Sequence, residues 1–275
     1  GYWRNLLYVM IAKLFGKRTI FHLLNAIDEF YNNSGKLGKG LLKFSFQVAD
    51  GYLLQSPGLK KWLDQFTKRR TYGLWNCIDL ALIPNRPTSG KEGENHFLTG
   101  ITVGKLGKNK GTYDILEAIK KLVDSGKQIK WIFVGAGNIE EFELLAAEKG
   151  ILKSVKFTGP VSDSEKWKLL FGADFFCLPS YAEGQPISII EAMSIGLPVI
   201  STPVGSIPEM ITDLTNGILI PAGDVEKLVD AVKKMSDKDF RLSVSKNAKE
   251  IARTRYDQSQ LFSSLVKIYT SLVIL

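Results

Sequence analysis

The sequence predicts an α/β protein built around a parallel sheet covered on both faces. Three observations carry that expectation. Short, continuous apolar runs alternate with amphipathic stretches over most of the chain. The alternation runs with little interruption once a stretch rich in proline and glycine has been passed. The hydrophobic content of 45% and charged content of 23% are those of a packed globular chain rather than a disordered one.

The regular part follows the stretch Pro84–His96, whose two prolines, two glycines and several polar residues read as a linker. Leu98–Val103 is expected as a strand and Thr112–Asp124 as a helix with Ile115, Ile119 and Leu122 on one face. Strand Lys130–Val134, helix Ile139–Lys149 and strand Val155–Thr158 follow. Helix Asp163–Phe171, strand Asp174–Leu178, helix Pro186–Ile195 and strands Pro198–Ser201 and Ile218–Ile220 complete a doubly wound domain. The first third is also α/β but thinner. Strands are expected at Thr19–Leu24, Gly51–Gln55 and Thr71–Trp75, with helices at Leu6–Phe15, Leu37–Val48 and Pro57–Phe66. Three strands are few for a complete domain of this kind, so the first one is expected to lack its start. Asp257–Leu272 carries Leu261, Leu265, Ile268 and Leu272 on one stripe and is expected to cross back to the first domain. The expected division is 1–90, 91–256 and 257–275.

Composition narrows the chemistry. Two cysteines in 275 residues, Cys77 and Cys177, exclude a disulfide framework, and Cys177 lies in an apolar run as a core residue would. The only histidines, His22 and His96, stand far apart, so no Cys/His metal cluster is expected. Asp237-Lys238-Asp239 is the one Asp-x-Asp and fits a helix cap better than a metal site. The apolar run Leu6–Ala12 falls well short of the ~20 residues of a membrane span. No cleavable leader pattern follows Gly1, and the chain is expected to be a soluble, cytoplasmic fragment. Charge is uneven: residues 1–95 hold 14 Lys+Arg against 7 Asp+Glu, whereas residues 96–275 hold 22 against 21. That excess suits either plain solubility or an anionic partner such as a lipid surface.

The strongest chemical signal is Glu183-Gly184-Gln185-Pro186-Ile187-Ser188-Ile189-Ile190-Glu191, two carboxylates across a loop-to-helix junction. Pro186 suits the first helical position, which puts Glu183 before the helix and Glu191 in its second turn. The first-turn N–H groups near Ile187 and Ser188, with the helix dipole, form a site suited to a diphosphate. Flanking carboxylates can accept from sugar and ribose hydroxyls. On spacing alone, a solvated loop acid and an outward-facing helix residue are the better explanation of the pair.

The surrounding landmarks resemble glycosyltransferase family 4, the retaining enzymes of the GT-B fold. Val103-Gly104-Lys105-Leu106 with Lys110-Gly111, Phe133-Val134-Gly135-Ala136-Gly137 and Phe157-Thr158-Gly159 stand in that family's order. Pro179-Ser180, Glu183-Gly184, Glu191-Ala192-Met193, Gly196-Leu197-Pro198-Val199, Gly205, Pro208-Glu209, Asn216-Gly217, Pro221 and Asp224 continue it, over roughly residues 97–260. The resemblance implies a GT-B architecture of two Rossmann-like domains, the N-terminal one incomplete. It implies retaining, metal-independent transfer of a sugar, hexosyltransferase in type, from a nucleoside-diphosphate sugar to a glycan or lipid-linked acceptor. No cofactor is expected, the donor is a UDP-sugar by default, and nucleic acid is not an expected partner.

By that resemblance Glu183 contacts the transferred sugar, Glu191 the donor ribose, and Lys105 and Lys110 the diphosphate. Gly104, Gly135, Gly159, Val161, Gly184, Gln185, Pro186, Ile187 and Ser188 line the rest of the donor site. Several positions depart from the family. Lysine replaces a common arginine at 105, Gln185-Pro186 replaces a common Phe-Gly, and Leu24 stands where a histidine is frequent. His22, two residues earlier, is expected in the core. Asn76-Cys77-Ile78-Asp79 resembles the family's Asn-Gly-x-Asp. Peripheral members of the family suggest attachment to an anionic membrane at the cytoplasmic face. Here Lys13, Lys17 and Arg18 around Leu6–Leu14, with Lys68-Arg69-Arg70, would serve it.

Competing classes stay open. A dinucleotide- or S-adenosylmethionine-binding enzyme fails on its third glycine, which falls at Glu140. A non-catalytic nucleotide-sugar-binding or membrane-docking module and a sugar-nucleotide epimerase of the same architecture remain.

Overall fold

The structure, a computed structural model, describes residues 2–23, 27–85 and 97–273. It divides into two compact units. One comprises Gly1–Asn76, Glu183–Gln185 and Ser259–Leu275, the other Cys77–Ala182 and Pro186–Gln258. The division falls at Asn76–Cys77, ahead of the polar stretch 84–96, of which residues 86–96 lie outside the described residues. Ile78 belongs with the second unit because it bridges Asp257: its N–H donates to Tyr256 O at 2.9 Å, and its carbonyl accepts from Gln258 N–H at 2.9 Å.

The first unit holds three parallel strands, β1 (Ile20–Leu23), β2 (Gly51–Leu54) and β3 (Arg70–Gly73), in that order. Ile20 lies opposite Gly51, and Gly51 opposite Arg70. Alternation along the strands separates two faces. Phe21, Leu23, Tyr52 and Leu54 turn to one face, where Leu6, Leu42, Phe46, Leu59 and Leu63 from flanking segments bury them. Leu53, with Ile20, Tyr72 and Leu74, turns to the other face and is covered by Ile268 and Leu265 of the helix Gln258–Val273. Two bonds tie that helix down. Arg70 Nη1 donates to Ser271 O at 2.9 Å, and the Tyr72 and Ser271 hydroxyls lie 3.2 Å apart. His22 corrects one expectation: flanked by buried Phe21 and Leu23, its own side chain is exposed, so it is not a core histidine. Leu24 lies outside the described residues. A short helix, Ile27–Asn32, was not expected.

The first helix, Tyr2–Leu14, buries only Leu6 fully. Leu7, Tyr8, Met10, Ile11 and Leu14 are exposed, and so is Phe15 beyond it. No helix among the described residues is long and apolar enough to cross a membrane.

The second unit holds β4 (Leu98–Val103), β5 (Ile129–Val134), β6 (Val155–Phe157), β7 (Phe175–Leu178), β8 (Val199–Ser201) and β9 (Ile218–Leu219). All pairings are parallel and the order is β6-β5-β4-β7-β8-β9. The strand order reverses between β4 and β7, which makes the gap at their carboxyl ends the ligand crevice of a doubly wound sheet. Trp131, Phe133, Phe175 and Cys177 fill the core against Ile115, Ile119 and Leu122 of the helix Thr112–Asp124. One polar chain crosses this apolar interior without leaving a donor idle. Trp131 Nε1 donates to Thr102 Oγ1 at 3.0 Å, and Thr102 Oγ1 donates to Cys177 O at 2.9 Å. The pair fastens β5, β4 and β7 beneath the crevice.

Candidate functional site

The loops leaving β4, β5, β6 and β7 interlock through their backbones. After β4, Gly104 N–H donates to Val134 O at 2.9 Å and Leu106 N–H to Ala136 O at 2.7 Å. After β5, Gly135 N–H donates to Gly159 O at 3.0 Å, beyond β6. Gly135 has φ +135°, and a Cβ there would stand 2.0 Å from Gly104 O, so only glycine lets the two loops meet. On the other side Gly111, at φ +67°, closes the β4 loop against Pro179 O, 2.3 Å from the position of a Cβ. Tyr181 N–H then donates to Asn109 O at 2.9 Å. The result is a continuous backbone floor along the carboxyl edge of four strands.

Lys105 and Lys110 rise from the β4 part of that floor. Lys105 is exposed; Lys110 is half-buried and runs past Gly104, its Cε 4.0 Å from where a Cβ on Gly104 would lie. Across the switch point stands the helix Ile187–Ser194. Pro186 is its N-cap, one position earlier than the first helical place expected for it, with φ −72° and ψ 116°. Its ring removes an N–H that the helix start would have left unpaired, and its extended ψ sets the entry of the chain. Ile187 and Ser188 supply first-turn N–H groups that have no intrahelical acceptor. Ile189, Ile190, Ala192 and Met193 bury the opposite side.

Glu191 occupies the second turn of that helix, as the spacing predicts, but it has a partner the sequence does not reveal. Lys166, on the helix Asp163–Gly172, donates to Glu191 Oε1 at 2.7 Å, with side-chain exposures of only 18% and 13%. Lys166 also reaches Asp163 Oδ1 at 3.0 Å and lies 5.5 Å from the Trp167 ring centre. Burial pulls the Lys166 pKa down, yet its hydrogen bonds to Glu191 and Asp163 outweigh that and hold it above the ordinary lysine value. Val161, half-buried, ends the turn that begins at Gly159. Next to it Ser162 caps the Lys166 helix by accepting from Glu165 N–H at 3.3 Å.

Of the site residues read from the sequence, the second unit therefore brings together Gly104, Lys105, Lys110, Gly135, Gly159, Val161, Pro186, Ile187, Ser188 and Glu191. Glu183, Gly184 and Gln185 group with the first unit. There the Gln185 amide is engaged: Gln185 is 5% exposed, its Oε1 accepts from Asn76 N–H at 2.5 Å, and its Nε2 donates to Asn76 O at 3.4 Å. Asn76 Nδ2 closes the ring of bonds by donating to Gln185 O at 3.1 Å. Neither Asn76 nor Lys166 stands out as a site residue in the sequence, because no local spacing links either to its distant partner. Asp237 caps the helix Lys238–Arg255 by accepting from Asp239 and Phe240 N–H at 2.9 and 3.2 Å. Among the described residues no group of three or more His, Cys, Asp or Glu side chains could hold a metal ion.

Residues 86–253 match the family model for glycosyl transferases group 1. An uncharacterized glycosyltransferase of Methanocaldococcus jannaschii is 26% identical over 272 residues, covering 95% of this chain and 71% of the relative. A phosphatidyl-myo-inositol mannosyltransferase of Mycobacterium leprae is 29% identical over 175 residues, which is 62% of this chain but 46% of that longer protein. Among solved structures, Anabaena HepE in complex with UDP superposes with a TM-score of 0.85 at 19% identity, over 97% of this chain and 76% of that one. Sucrose-phosphate synthase from Thermosynechococcus elongatus superposes at 0.76 with 20% identity, over 93% and 67%. The fold is that of the GT-B glycosyltransferases, and the chain belongs to the group 1 glycosyltransferase family.

Proposed function

We propose that the chain transfers a hexose, with retention, from a nucleoside-diphosphate sugar to a glycan or lipid-linked acceptor, without a metal ion. The observation that carries this reading is the floor of loops at the β4/β7 switch point, with Lys105 and Lys110 on one side and the Ile187 helix start on the other. Two cations and first-turn helix N–H groups around one crevice suit a diphosphate, whose oxygens offer only acceptors. HepE, similar in fold, was crystallised with UDP and with UDP-glucose, which supports uridine as the base.

On this reading the base lies by Gly159–Val161, the ribose at Glu191 and the transferred sugar at Glu183, in the loop that leads into the Ile187 helix through Gly184 and Gln185. The bond between the anomeric carbon and the diphosphate oxygen breaks, and positive charge develops at that carbon. The acceptor hydroxyl oxygen bonds to it on the same face, and its proton passes to the departing diphosphate. Lys105, Lys110 and the helix N–H groups stabilise the charge that gathers on the leaving group, the largest contribution a protein makes in such a step. Glu183 and Glu191 orient the donor.

The test is calorimetric titration of the chain with UDP and GDP, then assay of nucleoside-diphosphate release from the matching sugar donors with and without chelator. Micromolar binding with chelator-resistant, acceptor-dependent release and a retained anomeric configuration is expected. Binding without release would reassign the chain as a donor-binding module. Interconversion of the nucleotide sugar without acceptor would make it an epimerase.

A further inference from the structure

We propose that Lys166 is a positioning residue that presents the Glu191 carboxylate to the donor ribose. This rests on the reading that Glu191 meets that ribose. The two side chains come from different segments, Lys166 from the helix after the Gly159–Val161 turn and Glu191 from the helix after β7. Their contact at 2.7 Å spans 25 residues of sequence and is mostly shielded from water. Asp163, the other acid on Lys166, has 89% of its side chain in solvent and is the weaker partner. The lysine is therefore committed to Glu191.

That commitment has a chemical use. A ribose presents two adjacent hydroxyls, and a carboxylate accepts from both only when its plane is aligned with them. Lys166 holds Oε1, while Oε2 has no protein partner among the described residues and is not one of the sealed, unsatisfied atoms. Fixing one oxygen fixes the plane, and leaves Oε2 and a second lone pair on Oε1 to receive the diol. The ammonium occupies one lone pair and leaves the others as acceptors of both bonds. It also freezes side-chain freedom that the ligand would otherwise have to overcome. A tie that served stability alone gains little from a half-buried ion pair, since desolvation offsets much of the attraction.

The consequence is discrimination between ribose and 2′-deoxyribose. The experiment titrates the full chain with UDP and GDP, each beside its 2′-deoxy counterpart, and compares wild type with Lys166→Ala, Lys166→Met, Lys166→Arg and Glu191→Gln. Wild type should prefer the ribonucleotide. Lys166→Ala should lower that preference by about tenfold, the effect of a misplaced charge-assisted hydrogen bond. Lys166→Arg should stay within about threefold of wild type, because it keeps the cation. Lys166→Met preserves the aliphatic stem and replaces the alanine variant should that one melt early. If Glu191→Gln abolishes the preference while Lys166→Ala and Lys166→Met keep it, Lys166 has no positioning role and the ribose reading survives. An equal loss for ribo- and deoxynucleotide in the Lys166 variants marks a merely structural tie and also overturns the proposal. If Glu191→Gln leaves the preference intact, the ribose reading itself fails.

Discussion

Replacing Gly135 with alanine tests whether the loop floor positions the donor. The new Cβ would lie 2.0 Å from Gly104 O and 2.8 Å from Gly104 C, where anything under 3.0 Å forces a shift. The Gly104 carbonyl must therefore retreat by about 1 Å, and it precedes Lys105 directly. The residue would also be held at φ +135°, which adds about 1–3 kcal/mol of backbone strain. A displacement of about 1 Å in groups that align a reacting substrate costs on the order of 100-fold in rate. The assay pairs thermal unfolding with calorimetric titration by UDP and with donor turnover. Gly126→Ala is the control. Gly126 is also left-handed, at φ +77°, but nothing lies within 4 Å of its would-be Cβ, and it follows the far end of the Thr112–Asp124 helix. That variant should lose about 1–2 kcal/mol of stability and no donor affinity. Gly135→Ala with wild-type affinity and turnover, or Gly126→Ala with an equal loss of affinity, would refute the positioning role of the floor.

Three further outcomes are expected. Lys110→Ala should weaken UDP binding by about 1.5–3 kcal/mol at an unchanged melting temperature; unchanged affinity by calorimetry would remove Lys110 from the diphosphate site. The chain should sediment with anionic but not neutral liposomes and be released at high salt, because exposed Leu7, Tyr8, Met10, Ile11, Leu14 and Phe15 stand beside Lys13, Lys17 and Arg18. Equal binding to both vesicles, or none, would leave the basic excess without that explanation. Burial, reinforced by the charge of Asp257, pushes the Cys77 thiol up to about 11. About one molecule in a thousand is then thiolate at pH 8, so alkylation should be slow until the pH nears 11. Rapid labelling at pH 8 would contradict the raised thiol of this half-buried cysteine.

The second unit was legible in its sequence and the first less so, for physical reasons. Leu98–Val103 and Thr112–Asp124 match their expected ends, and the other strands of that sheet fall within two residues, because buried parallel strands write continuous apolar runs. In the first unit the six-residue helix Ile27–Asn32 is too short to display a period. The apolar neighbours of His22 point to a core position, but a strand turns alternate residues to opposite faces. The roles expected of the two lysines and of Glu191 followed from the family resemblance, and only the second-turn place of Glu191 followed from helix phase. The pairing of Glu191 with Lys166 and the clamp of Gln185 on Asn76 did not, since such contacts join residues 25 and 109 apart. Gln185 shows the cost: a residue expected to line the donor site spends its amide holding the loop that carries Glu183.

The return of the helix Gln258–Val273 to the first unit reverses the order in which the two units can be finished on a ribosome. Leu53, on the central strand of the first sheet, finds its cover in Ile268, synthesised more than two hundred residues later. Until then one face of that sheet stays bare, whereas the second unit has all its residues once Gln258 has emerged. The unit begun first is thus completed last. Premature termination between Gln258 and Leu265 would release a chain with an intact second unit and an apolar sheet face open to solvent, the kind of surface that chaperones hold and proteases find.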